Sequence, residues 1–175
     1  MARKPKGLGN GVETDAMPDE EPMDFLVTNA LLHSLYTIFS TMVMLEINPG
    51  VPELKQGTGA AGVVSGLIAM NASGVSGSVA LTLTMPAVRA ISTSMLGEEF
   101  LTLNKEVEDL AGELTNMLVG GAKQILSEKG HDFDMQLPHM LTGEGHDIVH
   151  PVSGKTIILP IAAGGAEFFL ELNFA

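Results

Sequence analysis

Three side chains in the middle of the chain, Asp109, Glu113 and Asn116, have types and spacing that could attract a cation and hold a water molecule. Carboxylates draw in positive groups. A carboxamide offers an acceptor and two donors, so it can orient a water without itself becoming the nucleophile. On a helix turning about 100° per residue, Glu113 falls near 40° and Asn116 near −20° from Asp109, with Gly120 near 20°. The apolar residues Val107, Leu110, Leu114, Met117, Leu118 and Ile125 centre on another side, at about 130–150°. A helix built from this segment buries one face and turns Asp109, Glu113 and Asn116 outward.

Two features set this strip apart from an ordinary wet face. Asp109 and Glu113 are like charges one turn apart, a pairing that costs a few tenths of a kcal/mol unless a cation relieves it. Lys105, at i−4 from Asp109, could supply one such cation from within the helix. Gly120 and Gly121 lie in the helix interior, where each costs about 0.5–1 kcal/mol relative to alanine. A bare Gly120 one turn beyond Asn116 would let another surface come close, and Gly112 keeps the neighbourhood bare. Solvation alone can also explain acids and an amide on a helix face.

The elements that must position this strip follow from periodicity and punctuation. Residues 24–45 read as a helix, with Phe25, Leu26, Ala30, Leu31, Ile38 and Met42 at helical spacings and Pro49 and Pro52 ending the stretch. Residues 61–70 and 75–84 read as strands joined by a turn at 71–74. Pro86 opens a short helix that Gly97 closes. Asn104 is the expected N-cap of the long helix, Glu106, Glu108 and Asp109 suit its positive end, and Gly130 stops it. Residues 133–142 are extended. Residues 156–162 and 166–174 form a second hairpin around Gly164 and Gly165. The expected fold is α+β: two long helices packed on a mostly antiparallel sheet, with a helix–hairpin unit approximately repeated.

Bulk properties narrow the function. The 175 residues suit one folded domain, and a formal net charge of −12 argues against nucleic acid as a partner. Cysteine is absent, which removes disulfides, thiolate nucleophiles and thiolate metal sites. Residues 1–22, rich in glycine, proline and charge, read as a disordered tail ahead of a domain over 23–175. The apolar stretch 25–45 is interrupted by too many polar residues for a membrane span, so a cytoplasmic protein is expected.

The segment Asp109-Leu-Ala-Gly-Glu113-Leu-Thr-Asn116-Met-Leu-Val-Gly-Gly-Ala-Lys123 resembles the signature helix of the CheC/CheX/FliY chemotaxis phosphatases, CheX most of all. The likeness extends to Val64-Ser-Gly-Leu-Ile68, Gly77-Ser-Val79, Met95-Leu-Gly-Glu-Glu99, Leu126-Ser-Glu-Lys-Gly130, Asp132-Phe-Asp134, Gly143-Glu-Gly-His146 and His150-Pro151. It implies a phosphatase acting on the aspartyl-phosphate of a CheY-type response-regulator receiver. In that reading Asn116 orients the attacking water, Glu113 docks a positive group of the receiver, and Asp109, Gly112 and Gly120 complete the contact. The resemblance implies no cofactor of the chain's own, a divalent cation such as Mg in the partner receiver, and a homodimer. CheC-type relatives carry a Glu-x-x-Asn on both long helices. The first helix here, through Asn29, His33 and Tyr36, has none, so one active surface per chain is expected.

Other features point to less. His131, His139, His146 and His150 lie among Asp132, Asp134, Glu144 and Asp147, yet match no zinc spacing, and structural histidines are the expectation. Met42, Met44, Met70, Met85, Met95 and Met117 are expected to fill core gaps. The glycine-rich residues 57–62 lack the Lys-Ser/Thr ending of a phosphate loop. The competing function is a non-catalytic receiver-binding or flagellar-switch-like adaptor. A small-ligand sensor has no polar pocket motif behind it.

Overall fold

The structure, a computed structural model, describes residues 21–174 apart from Ser73. The tail expected over residues 1–22 lies, up to residue 20, outside the described residues. The first described element is helix α1 (Met23–Ile38), which widens into a π-helical turn over Phe39–Val43. Thr37, Ser40 and Thr41 bond their hydroxyls back to carbonyls one turn earlier, a pattern that disturbs helical pitch. The helix then stops at Met44, a left-handed residue with φ 60°. It therefore ends before either expected proline: Pro49 closes β1 (Ile47–Pro49) and Pro52 immediately precedes β2 (Glu53–Leu54), two short edge strands that periodicity did not show.

Strands β3 (Val64–Ala72) and β4 (Val75–Leu83) form the first hairpin. It is tighter than expected, since Ala72 already pairs with Val75. Thr84 is not the end of a strand but the N-cap of helix α2 (Met85–Leu96), its hydroxyl accepting from the Ala87 amide at 3.2 Å. Gly97, at φ 70°, closes that helix as expected. Helix α3 (Lys105–Glu128) follows, then β5 (Asp134–Met135), β6 (His139–Thr142) and the second hairpin, β7 (Thr156–Ala163) with β8 (Ala166–Phe174).

The strands make one antiparallel sheet in the order β1-β7-β8-β4-β3-β5, with β2 also on β7 and β6 also on β3. The short strands that precede each hairpin thus pair with the other hairpin. One face carries Val64, Ile68, Val79, Leu81, Leu83, Phe168 and Leu170, all buried under α1, α2 and α3. Burying a Val, Leu, Ile or Phe side chain is worth about 1.5–3 kcal/mol, which is what holds the helices down.

On the opposite face Ser65, Ser78, Thr82, Glu171 and Asn173 alternate with the core residues. Every one of the five is buried. Residues 143–155 cross this face as a strap, with Ile148 at 2% exposure beneath it. Ala60 donates to the His146 carbonyl at 2.7 Å and Ile148 donates to the Thr58 carbonyl at 2.8 Å, so residues 58–60 hold the strap from its far side.

Candidate active surface on the third helix

Asn104 caps α3 as expected, its side-chain oxygen accepting from the Val107 amide at 3.1 Å. The face formed by Val107, Leu110, Ala111, Leu114, Leu118 and Ala122 is buried. Two close approaches fix how the helix lies. On the sheet, Gly66 of β3 has no side chain because Thr115 fills that space, the Thr115 hydroxyl bonding back to the Ala111 carbonyl at 2.6 Å. On α1, Ser34 stands where a side chain at Gly121 would go, and donates to the Leu118 carbonyl at 2.8 Å. Part of the glycine content of this helix therefore serves packing between helices.

With the helix so placed, Asp109 and Glu113 are exposed and Asn116 is half-buried beside them. Asp109 pairs with Lys105 at 2.9 Å. That pair holds the Lys105 ammonium above its ordinary value, mainly through the hydrogen bond to Asp109, then through the charges of Asp109 and Glu108. Glu113 has no cationic partner among the described residues. The Asn116 amide makes no hydrogen bond to another described side chain or backbone group, so both its donors and its acceptor are unengaged, on a residue that is half-exposed.

The two glycines of the strip differ. A Cβ at Gly120 would meet nothing within 4 Å, whereas one at Gly112 would come to 3.4 Å from the Met140 sulfur of β6. Gly120 is open to an approaching surface. Gly112 sits at the border where α3 meets β6.

The histidines do not assemble. No group of three His, Asp or Glu residues able to hold a metal ion occurs among the described residues. His146 and His150 fasten the strap to the sheet instead. His150 Nε2 lies 2.9 Å from the Glu171 carboxylate and its Nδ1 2.6 Å from the Ser78 hydroxyl. His146 Nδ1 must donate to the Gly143 carbonyl at 2.6 Å, so its Nε2 accepts from the Ser65 hydroxyl at 2.7 Å. Sequence reasoning missed Lys55, whose ammonium lies 2.6 Å from the other Glu171 oxygen. A lysine beside two short edge strands carries no signal of burial.

The methionines divide as well. Met70 is buried in the core, but Met42 and Met44, expected there, are 45% and 67% exposed. The stretch Met23–Val43 is long and apolar enough to cross a membrane by length and composition, with 44% of its most apolar window buried inside the fold. Its apolar side chains Val27, Leu31, Leu35 and Ile38 pack into the same core as α3 and the sheet, as a core helix of a soluble domain does.

Residues 64–162 match the family of the chemotaxis phosphatase CheX. The chain belongs to the CheX family. A CheC-like superfamily protein from Shewanella sp. PV-4 is 40% identical, with a TM-score of 0.79 over 88% of this chain and 99% of that one. The chemotaxis protein CheX from Vibrio vulnificus is 42% identical, with a TM-score of 0.76 over 85% of this chain and 99% of that one. A CheX from Borrelia burgdorferi, solved in complex with CheY, BeF3 and Mg, shares the fold at 23% identity and a TM-score of 0.66, covering 85% of this chain and 96% of that one. Among curated proteins, none matches.

Proposed function

We propose that this CheX-family chain hydrolyses the aspartyl-phosphate of a CheY-type receiver in the cytoplasm. The observation that carries the proposal is the unengaged amide of Asn116, half-buried in an otherwise exposed strip between Glu113 and Gly120. Membership of a chemotaxis phosphatase family supports it, and so does the Borrelia relative seen with CheY.

The chemistry asks little covalent work of the chain. Water attacks phosphorus in line, the bond between phosphorus and the aspartyl oxygen breaks, and inorganic phosphate and the free carboxylate leave. Such transfers are helped mainly by positioning and by charge already in place. The receiver brings the divalent cation, the chain needing none of its own. Asn116 holds the water by accepting from it, with its amide hydrogens free to donate to phosphoryl oxygens. Glu113 meets a lysine of the receiver. Asp109, already paired with Lys105, lends negative potential at the rim, and the bare backbone at Gly120 and Gly112 lets the receiver come close. Two copies of the chain pair in solution, most simply along an exposed sheet edge at β1 or β5.

The test is phosphoryl loss from a phosphorylated CheY-type receiver. Asn116→Ala is expected to slow stimulated hydrolysis by about 100-fold, the scale of losing one positioning group. Full stimulation by Asn116→Ala would overturn the role of Asn116, whereas binding of the receiver with no stimulation by the unaltered chain would favour the adaptor reading, which needs no water-positioning amide.

A further inference from the structure

Beside Gly120 the first and third helices part around a groove of about 530 Å³, lined among others by Thr37, Thr41, Met42, Met117 and Gly120. Gly120 belongs both to this groove and to the strip that carries Asn116. Resting on the proposed function, we infer that the groove receives an apolar side chain of the phosphorylated receiver and so selects which receiver is served.

Three arguments converge. The first is reach. A stable interface covers about 800 Å² per partner, a patch roughly 16 Å in radius. Along α3 the groove is lined from Met117 to Glu128, the latter about 18 Å from Asn116, so a receiver seated on Asn116 covers the near end of the groove, at Met117 and Gly120. The second is the partition of charge. Glu106, Glu108, Asp109 and Glu113 all lie on the side of Asn116 toward the start of the helix, so the basic part of the partner belongs there. The third is the chemistry of the groove. The Thr41 hydroxyl bonds back to the Thr37 carbonyl at 2.6 Å and the Thr37 hydroxyl to the His33 carbonyl at 3.1 Å. Their polar atoms are thereby occupied, which leaves methyl surface beside Met42 and Met117, while His33, Gln124 and Glu128 supply the polar part of the lining. Met42 is 45% exposed, so its thioether is open to a visitor. Methionine adapts its shape to what it contacts, which suits a site for a projecting side chain.

The experiment uses the whole chain and two measurements. One is the affinity for a receiver charged with beryllofluoride and Mg, which needs no turnover. The other is kcat and KM for phosphoryl loss. Met42→Glu and Thr41→Arg, both at exposed positions, place charge in the groove. Each is expected to weaken binding and raise KM at least tenfold while kcat changes less than twofold, with thermal melts unchanged. Asn116→Ala is expected to do the reverse, losing kcat and keeping affinity. Unchanged affinity in both groove variants overturns the inference. A change in the mass of the assembly with unchanged receiver affinity also overturns it, because the occupant would then be a second copy of the chain. Full hydrolysis by Asn116→Ala together with weakened binding by the groove variants would sink the role of Asn116 in catalysis and leave the groove standing.

Discussion

Ser34 of α1 occupies the space that a side chain at Gly121 of α3 would need, while the neighbouring Gly120 faces open space. Two adjacent glycines in one helix thus have opposite reasons to exist. Gly121→Ala must push Ser34 off the Leu118 carbonyl or part the helices, and overpacking of this kind costs about 1–3 kcal/mol. Gly120→Ala meets nothing and improves helix propensity by about 0.5–1 kcal/mol. Urea denaturation of the two variants should therefore give shifts of opposite sign. If Gly120 is kept bare for a partner, the more stable Gly120→Ala should also bind the charged receiver less well.

Glu171 gives the second prediction. Its carboxylate is fully buried on the strap side of the sheet, between Lys55 at 2.6 Å and His150 at 2.9 Å. Removing one partner from a buried pair leaves charge without compensation, at a cost of about 3–5 kcal/mol. Lys55→Met should destabilise toward the lower end of that range, because His150 still donates to Glu171. Adding Glu171→Gln should recover much of the loss, since no charge is then left behind. Denaturation midpoints of the single and double variants decide this, and a double variant no better than the single would show that the lysine acts through packing alone.

That network also marks where sequence reasoning stopped. The site helix was legible, because capping by Asn104, the apolar stripe from Val107 to Leu118 and the stop at Gly130 are local signals, each read within a few residues. Both hairpins were legible for the same reason, from alternation and the glycines between strands. The strap was not. Ser65, Ser78 and Thr82 look like the wet side of a strand until residues some 70 positions away fold over them. The short strands β1 and β2 were hidden because their only partner, β7, is about 100 residues on and they have too few residues to show a period. On the site itself, the wheel placed Asp109, Glu113 and Asn116 correctly on one face, but periodicity could not tell Gly121, which packs on Ser34, from Gly120, which packs on nothing.

The Lys105–Asp109 pair makes a prediction about pH. Lys105 is held above its ordinary value of 10.5 by Asp109 first of all. A cation whose folded value is raised contributes its stabilisation fully below the unfolded value and loses it as pH climbs through the folded one. On the basic side the pair is therefore kept throughout the neutral range and is lost in strong base. Asp109→Asn should bring the Lys105 titration, followed by NMR at the side-chain carbons, back down. Neutral-pH stability should barely move, as both side chains are mostly exposed. An unchanged Lys105 titration in that variant would mean the two side chains do not stay paired in solution.

Glu113, by contrast, has no cationic partner among the described residues, and that asymmetry predicts how the receiver is caught. An exposed, unpaired carboxylate on a chain of net charge −12 adds to a field that steers a basic patch inward. Charges at a rim change association rate more than the lifetime of the complex. Stopped-flow binding of a charged receiver should therefore show an on-rate that falls as salt rises from low ionic strength to about 0.15 M, where screening acts beyond roughly 8 Å. Glu113→Gln should lower the on-rate at low salt and flatten that dependence. Asp109→Asn should do less, because Lys105 already cancels much of its charge at a distance. If instead Glu113→Gln mainly speeds dissociation and leaves the on-rate untouched, Glu113 makes a close, desolvated ion pair with the receiver and belongs to the centre of the interface, alongside Asn116.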